Sequence, residues 1–203
     1  KARAYLTSLR KTTPNKAAQF WALEAELLRI NGQTSTAYKV LSQAVISLPE
    51  NLILRIERAL LSERLNNFTS TEKDLRFVLS RDPQNVIALN ALGYMLTNNS
   101  SRFEEALALI NQAITLRPND GAIIDSLGWV QYHLGDWHAA IQNLERAFEI
   151  LPDDEVAAHL IEVYWQNGDQ YKARRLIRQL KKIDTPMPQT NDIIKKYLIL
   201  SCI

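Results

Sequence analysis

The chain has 203 residues, 46% of them hydrophobic and 23% charged, enough apolar material for a substantial core in a soluble protein. Its 24 lysines and arginines nearly balance 22 aspartates and glutamates, and a net charge of +2 excludes the basic stripe of a nucleic-acid binder. A single cysteine, Cys202, excludes an internal disulfide and a thiolate metal cluster, and no run of about 18 apolar residues supplies an ordinary membrane span.

The chain opens on Lys1 rather than Met, so we expect a segment of a longer protein, and the compartment stays open at this point. Organisation comes from the prolines. Pro14, Pro49, Pro83, Pro118, Pro152 and Pro186 are separated by 35, 34, 35, 34 and 34 residues. Proline lacks an N–H donor and clashes with the preceding helical turn, so it belongs between helical units and damages their interiors.

In chain order, residues 1–17 carry Ala2, Leu6 and Leu9 at the spacing of the second helix of a unit whose first helix is missing. Residues 18–51 form the first complete unit, with Trp21 and Ala25 on one helix, an Asn31-Gly32 turn, and Ala37, Leu41 and Ala44 on the next. Small residues here let the two helices interlock, and larger groups would overpack the contact by about 1–3 kcal/mol. Residues 52–85 are degenerate: Arg55 replaces the aromatic and Thr71 the small alanine, while Ala59, Leu75 and Val78 keep the apolar stripe. Their Asn66-Asn67 turn lacks glycine, and Asn is the next residue most tolerant of a left-handed backbone.

Residues 86–120 carry Leu89, Leu92 and Gly93, then Ala106, Ile110 and Ala113, with one extra residue in the turn from Asn98 to Arg102. Residues 121–154 are the clearest unit, with Ile124, Leu127, Gly128, Ala140, Leu144 and Ala147 at helical spacing around a Gly135-Asp136 turn. Residues 155–185 follow with Leu160, Gly168-Asp169, Ala173 and Ile177, but Ile161 stands where glycine recurs and Leu180 where alanine does, which predicts altered packing near the end of the array. Residues 186–203 differ in kind. Pro186 and Pro188 break the helix, and DIIKKYLILSCI then places Ile193, Ile194, Tyr197, Leu198 and Leu200 on an apolar stripe. This tail reads either as a cap over the last unit or as a segment, 192–203, through which the chain self-associates.

The recurring units resemble the tetratricopeptide repeat family over nearly the whole chain. That resemblance implies an all-α, right-handed superhelical solenoid of antiparallel helix hairpins, acting as a non-enzymatic scaffold or adaptor that grips protein or peptide partners. Within it, LNALGYML, IIDSLGWVQYHLGD and AIQNLERAFEILPDDEVAAHLIEVYW look like a group of proteobacterial outer-membrane tetratricopeptide lipoproteins. Some of that group are adaptors that deliver cell-wall hydrolases to a periplasmic carboxy-terminal processing protease. The resemblance therefore implies a periplasmic, outer-membrane-anchored protein whose anchor lies outside this segment, with a cytoplasmic location as the alternative. Ile161 and the tail depart from the group's pattern. The rival readings are the repeat portion of a larger enzyme, such as a glycosyltransferase, and a self-assembling module.

No residue pattern points to catalysis. His133, His138 and His159 have no zinc-like spacing to Cys or acidic partners, Asp153-Asp154-Glu155 is too small a set for calcium, and no phosphate loop occurs, so no metal and no cofactor are expected. Lys172, Arg174, Arg175, Arg178, Lys181 and Lys182 alternate with Leu176, Ile177 and Leu180 and read as the solvated face of a helix. In stacked hairpins the first helices line the concave surface. The register of residues 121–154, carried to its neighbours, puts Asn90, Tyr94 and Thr97, then Asp125, Trp129, Tyr132 and His133, then Glu162, Trp165 and Gln166 on that wall. Tyr94, Trp129, Tyr132 and Trp165 make it an aromatic partner-binding strip; the other reading is that Trp129 and Trp165 fill the space between adjacent repeats.

Overall fold

The computed structural model describes residues 2–181 and 186–200; of residues 2 and 198–200 it describes the backbone alone. Lys182, Cys202 and the apolar side chains expected at Leu198 and Leu200 therefore lie outside the described residues. Among those described, every regular element is helical: α1 (Ala2–Thr12), a 3-10 turn (Pro14–Lys16), α2 (Ala17–Ile30), α3 (Thr34–Ser47), α4 (Leu52–Arg64), α5 (Phe68–Arg81) and α6 (Val86–Asn99). There follow α7 (Phe103–Leu116), α8 (Gly121–His133), α9 (Trp137–Ile150), α10 (Asp154–Gln166), α11 (Gln170–Leu180) and α12 (Pro188–Leu200). The chain divides into two compact units, one ending at Met95 and the other beginning at Leu96, so the boundary falls within α6.

The starts of three hairpins are written in the chain. After Pro49, Pro83 and Pro118, the residue two positions on (Asn51, Asn85, Asp120) accepts a hydrogen bond from a first-turn N–H of α4, α6 or α8. Each such cap contributes about 1 kcal/mol by satisfying a donor that the helix leaves free. Three of the second helices begin the same way, at Asn67, Asp136 and Asp169, whereas α3 and α7 begin without a side-chain cap. Between paired helices the tight turns need a left-handed residue, supplied by Gly32, Gly135 and Gly168, and by Asn66 at φ 57° where glycine is absent.

In the first unit, α2, α3 and α4 close around Ala25, Leu28, Ala37, Val40, Leu41, Ala44, Leu54 and Leu61, with Trp21 and Tyr38 packed against them. In the second unit Gly128 marks the closest approach of a helix pair: a Cβ there would lie 2.7 Å from Leu144 Cγ and 3.1 Å from the Ala140 carbonyl oxygen. Its counterpart Ile161 is fully buried, and beside it, among α10, α11 and α12, lies an opening of about 320 Å3 walled by Trp165, Ile177, Ile193, Ile194 and Tyr197. The charged residues of α11, Lys172, Arg174, Arg175 and Arg178, and Lys181 just after it face solvent.

The degenerate hairpin α4–α5 is rebuilt around a buried carboxylate. Asp74 is fully buried and takes a bidentate pair from Arg58 (2.7 and 2.6 Å) and a third bond from Arg55 (3.3 Å). Arg55 also donates to the Pro49 carbonyl (2.9 Å) and lies 3.5 Å above the Phe77 ring. Its side chain thus fills the aromatic position by stacking on an aromatic one turn away from the carboxylate it neutralises. Thr71, in the alanine position, satisfies its hydroxyl on the Ala59 and Asn67 carbonyls. A similar device joins α1 to α2, where buried Glu24 accepts from Arg3 and Arg10.

Asp74→Ala leaves two partly buried guanidinium groups without their anion and should destabilise the first unit by about 3 kcal/mol. Urea denaturation followed through Trp21, the one tryptophan of that unit, measures it.

Candidate functional site

Thirty-four residues separate Asp125 on α8 from His159 on α10, and the stacking of hairpins brings them into contact. The Nδ1 of His159 lies 3.0 and 3.1 Å from the two Asp125 carboxylate oxygens, so Nδ1–H donates to an acceptor-only group and the tautomer is set. Both residues are buried. The imidazole is then a platform: the Trp129 ring stacks on it at 4.0 Å between centroids and 17° between planes. Trp129 Nε1–H donates to Asn98 Oδ1 at 2.8 Å, which fixes the indole along its long axis.

Around this anchored indole the remaining rings gather. Tyr132 stacks on Trp129 at 5.1 Å, and His133 meets it edge-on at 4.8 Å. Tyr132 makes an edge contact with Trp137 of α9 at 5.2 Å, and His133 stacks on Phe103 of α7 at 5.1 Å. Such pairs contribute about 0.5–1.5 kcal/mol each beyond the area they bury. Trp129 and Tyr132 stay half-buried and His133 exposed, so the cluster is locked from beneath and open above. Burial pushes the Tyr132 hydroxyl above its usual range, with Glu162 adding to it. Partial desolvation of the His133 ring by the rings packed on it pushes its pKa down, and neighbouring His159 acts in the same direction.

A second arrangement covers α10. Helix α12 lies against it with Ile194 and Tyr197 buried. Glu162 Oε1 accepts from the Tyr197 hydroxyl and from Lys196 Nζ at 2.9 Å, Gln166 Nε2 donates to the Tyr197 hydroxyl at 2.7 Å, and Tyr197 stacks on Trp165 at 4.9 Å. The hydrogen bond to Glu162 is the chief reason that Lys196 binds its proton more tightly than an ordinary lysine. Burial, then the bond to Glu162, raises Tyr197. The start of α12 is capped from another helix: Asp154 accepts from the backbone N–H groups of Gln189 (2.7 Å) and Thr190 (2.9 Å). Asp154 is two residues after Pro152, the position that caps its own helix elsewhere in the chain. Here Asp153 caps α10, and Asp154 is released to hold α12.

The ten residues expected on one inner wall therefore separate. Asn90 and Tyr94 belong to the first unit and are half-buried; the other eight belong to the second. Thr97, Asp125 and Glu162 are buried, which corrects their expected exposure on an open groove: Asp125 is turned onto His159, and Glu162 lies beneath α12. Trp165 and Gln166 are engaged by Tyr197 rather than left facing an empty groove. Trp129, Tyr132 and His133 are brought together and reach the surface. Asn98, Phe103, Trp137, His159, Lys196 and Tyr197 were missed as members of these clusters. The 34-residue interval between Asp125 and His159 was a usable signal; the contacts of Asn98, Phe103 and α12 had none. Among the described residues no group of three His, Cys, Asp or Glu side chains could hold a metal ion.

Two measurements check this geometry. Tyr197→Ala should release α12, lowering amide protection of its backbone roughly 100-fold, about 3 kcal/mol, while α8 and α9 keep theirs. His133 should titrate below the ordinary value of 6.5 in a ring-proton NMR titration. Because the folded state then holds fewer protons than the unfolded one, its contribution to stability is intact above that value and declines as pH falls through it, and His133→Gln should flatten that decline.

Comparisons with known proteins agree with the architecture. Tetratricopeptide repeat models match residues 95–180 and 56–121, together more than half of the chain. The TPR repeat-containing protein PA4667 of Pseudomonas aeruginosa is 43% identical over 155 residues, which are 76% of this chain but only 26% of that protein. A thermophilic TPR protein of Thermus thermophilus, TTC0263, superposes with a TM-score of 0.76 at 18% identity, over 92% of this chain and 100% of its own. A tetratricopeptide repeat protein of Parabacteroides merdae gives 0.83 at 13% identity, over 98% of this chain and 78% of its own. With its 34-residue period, helix hairpins and matching repeat models, the chain belongs to the tetratricopeptide repeat family.

Proposed function

We propose that this chain is a protein-binding scaffold whose second unit captures a partner on the face formed by Trp129, Tyr132 and His133. The observation that carries the reading is the state of that face. Its rings are anchored below by Asp125, His159 and Asn98, and their upper surfaces remain accessible. Rigid aromatic side chains that lose little freedom on binding are the groups that dominate protein contacts. The scaffold contributes no chemistry in this reading; holding two proteins together raises their effective concentration.

At a finer level, we read the chain as part of a bacterial outer-membrane lipoprotein that presents cell-wall hydrolases to a periplasmic carboxy-terminal processing protease. The wording of residues 89–165 supports this.

Trp129→Ala with Tyr132→Ala should reduce capture of the partner by at least tenfold, about 1.4 kcal/mol or more, with the far-UV circular dichroism unchanged. The measurement is a pull-down from a membrane fraction with the wild type and the double variant side by side. Equal capture by a folded double variant would move the contact off this face. Recovery of proteins unrelated to a protease or a cell-wall hydrolase would sink the finer reading alone.

A further inference from the structure

The opening of about 320 Å3 among α10, α11 and α12 is apolar inside and basic at its rim. Ile161, Ile177, Ile193 and Ile194 line it, together with the rings of Trp165 and Tyr197. The remaining lining residues are Arg174, Arg178 and Lys181, spaced i, i+4 and i+7 along one side of α11, and all three are exposed. No aspartate or glutamate lines it. Its volume is near the lower end of the range, about 300–1,000 Å3, that holds small ligands.

The two flanks of α11 differ in how their charge is met. On the flank toward α9, Lys172 pairs with Glu145 at 3.2 Å, and Arg175 shares a crevice with Glu145 and Glu149. On the flank toward α12, the Arg174 guanidinium lies 5.6 Å from the Trp165 ring and Arg178 donates to the Arg174 carbonyl at 3.3 Å. Among the described residues no carboxylate pairs with Arg174, Arg178 or Lys181. Like charges one helical turn apart repel, and an anion placed between them turns that repulsion into attraction. The hydrogen-bonding inventory narrows the choice of anion. Arginine, lysine and tryptophan side chains only donate. The one acceptor in the lining, the Tyr197 hydroxyl, already accepts from Gln166 and donates to Glu162. A peptide entering here brings backbone N–H donors that no lining side chain is free to accept. An aliphatic chain brings none, and an anionic head only accepts.

We propose that this opening binds an anionic amphiphile, a single aliphatic chain ending in a carboxylate or a similar anionic head. The aliphatic chain lies against the four isoleucines, and the head is held at the rim by Arg174 and Arg178, with Lys181 adding its charge. The site is built from α10, α11 and α12 and does not use the face of Trp129, Tyr132 and His133, so it stands whether or not that face captures a protein.

The test uses the full chain and isothermal titration calorimetry with dodecanoate, kept below its critical micelle concentration. Dodecyltrimethylammonium, with the same tail and a cationic head, is the control. Dodecanoate should bind at least roughly tenfold more tightly than the control, and Arg174→Gln with Arg178→Gln should remove most of that difference. Lys172→Gln with Arg175→Gln removes the same charge from the other flank and should leave the affinity unchanged. Ile193→Trp, which puts an indole into the opening, should abolish uptake of dodecanoate. Equal affinity for the two amphiphiles, or dodecanoate binding unaltered by loss of Arg174 and Arg178, overturns the proposal. An equal loss in the Lys172 and Arg175 double variant also overturns it and assigns the effect to net charge. Flotation with vesicles of anionic phospholipid by a chain that takes up no free dodecanoate overturns it as well and assigns the cations to a membrane surface. Arg174 and Arg178 are exposed, so their double variant decides the matter even where Ile193→Trp fails to fold.

Discussion

Close approach of paired helices at small residues is the constraint on which the rest of this structure depends. Where α8 passes α9, Gly128 leaves room for Leu144 and the Ala140 backbone at distances that a methyl group would violate. In the first hairpin Ala25, Ala37 and Ala44 serve the same purpose, and all are essentially inaccessible to water. Once two helices are this close, their remaining apolar side chains have little choice of direction. Each hairpin then exposes an apolar edge that only another helix can cover, so stacking is built into the unit.

Departures from that scheme are compensated by polar chemistry rather than by looser packing alone. The second hairpin lacks the usual aromatic at Arg55, yet the guanidinium stacks on Phe77 and joins Arg58 in neutralising Asp74. A buried carboxylate of this kind is costly to strand, and here it ties α5 to α4 through two guanidinium groups. At the other end, Ile161 occupies a position that elsewhere demands a small residue, and α12 walls the opening beside it. One residue fewer after Pro152 makes this possible, because Asp153 caps its own helix and Asp154 caps the next.

The surface argued for partner capture has a definite physical character. On the second unit, an internal Asp125–His159 pair is spent on orienting Trp129, so the exposed rings are preorganised and the polar groups are satisfied. The tail helix removes a second candidate from competition, since Glu162, Trp165 and Gln166 are engaged by Lys196 and Tyr197.

The sequence by itself determined the repeat. Prolines every 34 or 35 residues, alanines and glycines at the helix crossings, and Asn or Asp at the helix starts are local signals, each tied to a backbone requirement that does not depend on distant residues. The left-handed turn at Asn66 was legible for that reason. Tertiary structure alone decided which inner-facing side chains reach solvent. Asp125, Trp129 and Glu162 occupy comparable faces of neighbouring helices, and nothing local distinguishes the carboxylate that will meet His159, the indole left half-open, and the carboxylate that α12 will cover. Those outcomes depend on contacts between helices 30 or more residues apart, where a partner such as Asn98 or Tyr197 can be identified only once the hairpins are stacked.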